Sequence, residues 1–255
     1  MPKGGGANQT PMTGIERGRI QVASGLTIVG LAIFVVTLPL SVVAYPGGSW
    51  ANPDATGFQF FVNYWCDLLR IMALNGAPNP TSAVLARIAF GALAVSLSAH
   101  WWVAASLLTS PSLAQWGAAS GTVSAVGVAF LALFPYHTQP LLHSVTTLSA
   151  GGFGLAAAVL IILGNLQLPR GHVSSWRHAW GASLVAAAVV NILVYVDIVV
   201  RGDRDSAILP IAQELGTVFL VLWMVTTLLD ARRRSRQAAT RSMLQVDPPK
   251  SDTLL

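Results

Sequence analysis

The chain has 255 residues, of which 53% are apolar and only 10% are Asp, Glu, Lys or Arg, against roughly 45–50% and about 25% in soluble globular proteins. That balance excludes an ordinary soluble domain and places the chain in a membrane. The net charge of +5 comes from Lys and Arg near the ends of apolar runs, which orients helices in a bilayer and gives no footprint for nucleic acid.

In chain order, the Gly-rich start MPKGGGANQTP predicts a disordered cytoplasmic N-terminus over 1–19. The first uncharged run, Ile20–Tyr45, exceeds a signal-peptide core and lacks a small-residue cleavage site, so it reads as a retained helix. Five further spans follow at Ala83–Leu108, Leu113–Phe134, Leu141–Gly164, Trp176–Val200 and Ala207–Leu229. No formal charge interrupts Ile88 to Pro169, and Glu214 is the one charge from Ser206 to Leu229. The expected fold class is therefore all-α, a six-span transmembrane bundle over 20–230, followed by a basic, disordered cytoplasmic tail over 231–255.

Lys3, Arg17 and Arg19 precede the first span, Arg170 and Arg177 lie between the fourth and fifth, and Arg232, Arg233, Arg234 and Arg236 follow the sixth. These put both termini in the cytoplasm. Arg201 and Arg204 oppose that orientation but are offset by Asp203 and Asp205. The tail DARRRSRQAATR reads as a solvated topology anchor, with contact to anionic lipid as the alternative. The single cysteine, Cys66, excludes an intramolecular disulfide.

The first external connection, 46–82, is long for a bundle and therefore expected to serve a purpose. Its centre, FQFFVNYWCDLLRIMAL, predicts a short interfacial helix with Tyr64 and Trp65 at headgroup depth. Asp67 and Arg70, at i and i+3, form either a surface pair or, with Asn63, part of a polar group over the mouth of the bundle. The external turn PYHTQP brings His137 and His143 to the same side. His137, between two prolines, also fits a plain turn residue. Asn191 and Tyr195 share a face of the fifth span, Asp197 lies near its outer end with Arg201 as an i, i+4 partner, and Glu214 stands one turn after Pro210. An ionisable residue inside a span costs about 2.5–3.5 kcal/mol on insertion scales, so it faces the bundle interior and has a partner. For Glu214, Gln213, Asn191 or Tyr195 are candidate structural partners. Ala150, Gly154 and Ala158 form a small-xxx-small stripe that predicts close helix packing. AGGFG has no strand before it and is no phosphate loop, and G-x-S-x-G is absent.

At Cys66-Asp67-Leu68, Pro78-Asn79 and Leu133-Phe134-Pro135 followed by a histidine at the head of a helix, the chain resembles the bacterial six-helix membrane proteins of domain of unknown function 998. Cys66 and Leu69 stand where that family carries serine and glycine. The resemblance implies a bacterial cytoplasmic membrane protein. That family's architecture is in turn similar to the alkaline ceramidase and adiponectin-receptor superfamily, whose intramembrane His and Asp residues bind zinc for lipid amide hydrolysis. The superfamily's i, i+4 histidine pair on the last helix is absent here.

The expected function is that of a non-catalytic membrane protein. It either binds a lipid or another amphipathic ligand in an outward-facing polar pocket or serves as an accessory subunit, alone or in a homo- or hetero-oligomer, with membrane lipids as neighbours and no cofactor. One alternative is a zinc-dependent intramembrane lipid hydrolase with ligands from His137, His143, Asp67 and Glu214. Another is a haem protein using His100 and His178, although Trp101 and Trp102 beside His100 suggest an interfacial anchor there. Transport would call for paired Gly/Pro interruptions in matching halves, which are absent.

Overall fold

A computed structural model describes residues 14–169, 171–201 and 208–244. The Gly-rich start, Lys3, Arg170, Asp203, Arg204, Asp205 and the last eleven positions lie outside the described residues. Among the described residues six α-helices form: α1 (Gly14–Ala44), α2 (Pro80–Ser106), α3 (Pro111–Leu133), α4 (Pro140–Leu166), α5 (Ser175–Arg201) and α6 (Ile208–Leu244). All six contain stretches long and apolar enough to cross a membrane, and the chain is a multi-pass membrane protein of the helical-bundle type. Among the described residues no β-strand forms, only two isolated bridges.

The helices begin where the chemistry of proline favours a start. Pro80, Pro111 and Pro140 open α2, α3 and α4, because an N1 residue needs no N–H partner and proline's φ is already helical. These starts lie one to three residues ahead of the apolar runs. The largest difference is at the other end of α6, which continues beyond Leu229 to Leu244, so 231–244 is helical where a disordered tail is expected. Ala, Arg, Gln, Met and Leu in this segment all favour a helix. Arg234 also ties it down, donating from Nη1 to Leu107 O (2.7 Å) and from Nη2 to His172 O (3.1 Å). At the other terminus α1 already includes Gly14 to Arg19.

Packing follows chain order: α1 lies on α2, α2 on α3, α3 on α4 and α5 on α6, while α4 and α5 meet over a smaller area. With no hydrophobic drive between helices in lipid, close approach and interhelical hydrogen bonds hold the bundle. A Cβ on Gly30 would stand 2.7 Å from Ala92 O, so α1 and α2 touch backbone to backbone there. Beside it Ser96 Oγ donates to Thr27 O (2.8 Å), and Ser41 Oγ donates to Ser82 O (2.9 Å). On α4, Ala150 and Ala158 are buried, Ser124 Oγ of α3 donates to Ala150 O (2.7 Å), and a Cβ on Gly154 would lie 2.8 Å from Ser124 Oγ.

One end of the bundle, the loop end, gathers the 45–79 connection, the α3–α4 turn, the end of α5 and the start of α6. The opposite, tail end carries the start of α1 and the end of α6. In place of a helix over FQFFVNYWCDLLRIMAL, residues 45–79 fold as a compact cap with one short 3-10 helix, η1 (Trp65–Leu69). Two features prevent a longer helix. Phe61 takes the left-handed region at φ 65°, which a bulky residue adopts only when held there. Asn63 and Asp67 direct their side chains to nearby backbone groups, Asn63 Oδ1 accepting from Gln59 N and Asp67 Oδ2 from Tyr64 N, and such bonds compete with the helical ladder. Leu68 and Leu69 are fully buried, so η1 is packed onto the bundle. Asn79 closes the cap, its Nδ2 donating to Arg70 O (2.8 Å).

Candidate functional site

At the loop end a cavity of about 290 Å³ lies between the cap and helices α4, α5 and α6. Its walls bring together Asp67 and Arg70 from the cap, His143 from the first turn of α4, Tyr195 from the last turns of α5 and Gln213 from the start of α6. Asp67 is the buried centre of this group, only 3% exposed. Its carboxylate accepts from Asn63 Nδ2 (3.1 Å), Tyr64 N (2.9 Å) and the Trp50 side chain. Asn63, itself fully buried, donates with the same Nδ2 to Gly48 O (2.8 Å), so Asp67 cannot turn away without disturbing the cap.

Burial raises the Asp67 carboxyl to about 6, against the opposing pull of the Asn63 and Tyr64 hydrogen bonds and of Arg70. Arg70 does not form the simple surface pair with Asp67: its Nε donates to Met72 O (3.3 Å) and its guanidinium lies over the Trp50 ring at 5.8 Å. Cys66 also lines the cavity. Burial, with the Asp67 charge added, pushes its thiol up to about 12.

His143 is 4% exposed and its Nδ1 lies 2.8 Å from Phe134 O. A carbonyl accepts only, so Nδ1 carries the proton and Nε2 is the acceptor on a ring that lines the cavity. Tyr136 meets that ring edge-on at 5.8 Å. Tyr195 faces Ser144 and Thr147 across the wall.

A second cavity, of about 250 Å³, runs among the apolar faces of α2 to α6, past Leu93, Leu97, Ala150, Gly154, Ala158, Leu184, Val185 and Leu220. Asn191 lies on this wall. Thr147 and Gln213 belong to both cavities, and Gln213 Oε1 is buried without a protein partner. Thr147 and Gln213 thus form a common wall where the loop-end cavity adjoins an apolar slot between the α3–α4 and α5–α6 hairpins.

The remaining candidates lie elsewhere. Glu214, the one charge within its span, has its partner in the cap: Oε1 accepts from Phe61 N at 3.0 Å and holds that residue in its left-handed conformation. None of Gln213, Asn191 or Tyr195 is this partner. Asp197 pairs with Arg201 at 2.7 Å, both side chains more than half exposed. His137 is half-buried with Nδ1 unpaired, and burial first, then Arg70 and Arg87, hold its pKa below the usual histidine value. Among the described residues no group of three or more His, Cys, Asp or Glu side chains comes together as a metal ion needs. His137, His143, Asp67 and Glu214 do not form such a group. His100 is not a surface anchor either. It is fully buried, with the Trp101 and Trp223 rings against it at 5.5 and 5.3 Å, because that face of α2 turns inward while Trp102 stays exposed.

Trp50, Tyr136 and Ser144 line the site without any periodic signal in the sequence, since loop folding delivers the first two. Gln213 was legible only as a polar residue beside Glu214. No protein-family model, curated protein or solved structure matches the chain, so the functional reading rests on the geometry of these two cavities.

Proposed function

We propose that the protein binds an amphipathic, lipid-type molecule, with its polar end in the loop-end cavity and its apolar chain in the slot between the two helical hairpins. The observation that carries this reading is that a cavity lined by charged and polar side chains adjoins an apolar one at their shared Thr147 and Gln213 wall. A ligand of that kind supplies the polar partner that Gln213 Oε1 lacks.

A lipid chain leaving the bilayer gains little by entering another apolar space, since lipid tails and an apolar slot are similar solvents. Selectivity therefore falls to the polar end. There the Asp67 carboxylate and the His143 Nε2 accept while the Arg70 guanidinium donates, which suits a headgroup carrying both hydroxyl or amine donors and an acceptor oxygen. The Lys and Arg distribution supports a loop end facing outward with both termini in the cytoplasm. The motif residues shared with domain of unknown function 998 also support this site: Asp67 lines it, Asn79 holds Arg70 O, and Phe134 O orients His143.

Mass spectrometry of lipids retained by the purified protein tests the proposal. About one equivalent of a defined lipid is expected with the wild type. Ala188→Trp, which fills the slot, should abolish retention while circular dichroism and monodispersity persist. Equal, compositionally unselective retention by both proteins would place the lipid around the bundle and refute an internal site.

A further inference from the structure

The tail end carries a third, chemically different cavity of about 640 Å³, bounded by the α4–α5 connection at Gly171, His172 and Ser174 and by α6 from Asp230 to Thr240. Three guanidiniums, Arg233, Arg234 and Arg236, line it together with a single carboxylate, Asp230. That carboxylate is already engaged. Its Oδ2 accepts from Ser174 N (3.2 Å) and Ser174 Oγ (3.4 Å), Arg177 Nη1 lies 3.9 Å away, and Arg233 Nη1 stands 4.0 Å from Oδ1. Arg234 is positioned by two neutral carbonyls, Leu107 O and His172 O, so its charge is not neutralised by them, and its Nε is buried without a partner. Arg233 and Arg236 are i, i+3 neighbours, and Gln237 and Thr240 add donors beside them.

The excess of positive charge sits where the apolar part of α6 gives way to its basic segment, and Lys and Arg at the end of a spanning helix characteristically meet the headgroup layer. Guanidiniums present paired donors to phosphate oxygens. We propose that this cavity binds a phosphate group, supplied by an anionic phospholipid of the leaflet at the tail end. The site is independent of the loop-end cavity and of the ligand proposed for it. The basic segment of α6 is then a headgroup seat as well as an orientation signal.

The test uses the full chain in a neutral detergent, with thermal unfolding recorded against short-chain phosphatidylglycerol, short-chain phosphatidylcholine and inorganic phosphate. Phosphatidylglycerol should raise the melting temperature of the wild type in a saturable way, and phosphatidylcholine should not. Arg233→Gln combined with Arg236→Gln should weaken the phosphatidylglycerol response about 30-fold, the effect of two surface arginines acting on an anionic lipid. The charge-matched control, Arg19→Gln with Arg232→Gln, should keep it. An equal loss in the control, or no saturable response in the wild type, overturns the site. Inorganic phosphate acting as strongly as phosphatidylglycerol, and losing its effect in the first pair, upholds the phosphate seat and overturns its assignment to lipid.

Discussion

Asp67 provides the sharpest test of the loop-end site, because its charge is held inside the cavity against the cost of burial. The carboxyl rises from 3.8 to about 6 on folding, so the folded state binds its proton more tightly than the unfolded state. The stability from this group is therefore fully present only well below pH 3.8 and is lost as the pH climbs through 6. A difference of that size corresponds to about 3 kcal/mol, and at 3% exposure solvent screening removes little of it. In Asp67→Asn the titration disappears. Whatever the substitution costs at one pH, the stability difference, wild type minus variant, should become less favourable to the wild type by about 2 kcal/mol between pH 4 and pH 7.5, the remainder being lost below pH 4. Equilibrium unfolding of both proteins in the same detergent across that range measures the difference directly. Parallel pH profiles would refute the reasoning: Asp67 would then be solvated, and the cap would not close over the cavity as described.

Two further outcomes follow from single contacts. Glu214→Ala should destabilise the protein by about 1–3 kcal/mol, because Phe61 N then loses its acceptor in a partly buried position, and limited proteolysis should show faster cleavage within 45–79. Glu214→Gln, which keeps the acceptor, should restore most of the loss. His143→Ala should cost about 1 kcal/mol, the worth of the bond to Phe134 O, with the metal content by elemental analysis unchanged and a chelator leaving the melting temperature where it was. Stoichiometric zinc that vanishes in His143→Ala would instead assemble the hydrolase.

The number, order and approximate bounds of the six helices were legible in the sequence. A backbone in lipid satisfies its hydrogen bonds within each segment, so an apolar run edged by charges or by Pro80, Pro111 and Pro140 suffices to mark a helix. Topology alone also brought Asp67, Arg70, His143 and Tyr195 to one end. The tertiary structure decided what each side chain there does. Gln213 and Glu214 are chain neighbours, yet the rotation of α6 turns Gln213 to the cavity and Glu214 to Phe61 N, 153 residues away. The α5–α6 packing and the folded cap set that rotation, and neither leaves a periodic trace in the sequence. Residues 45–79 gave the least warning. Their apolar and aromatic content suits a helix, while Asn63, Asp67 and a left-handed Phe61 spend their hydrogen bonds on a cap held by long-range partners. Local pattern therefore determined where the chain crosses the membrane, and non-local pairing determined which polar groups face the cavity between the crossings.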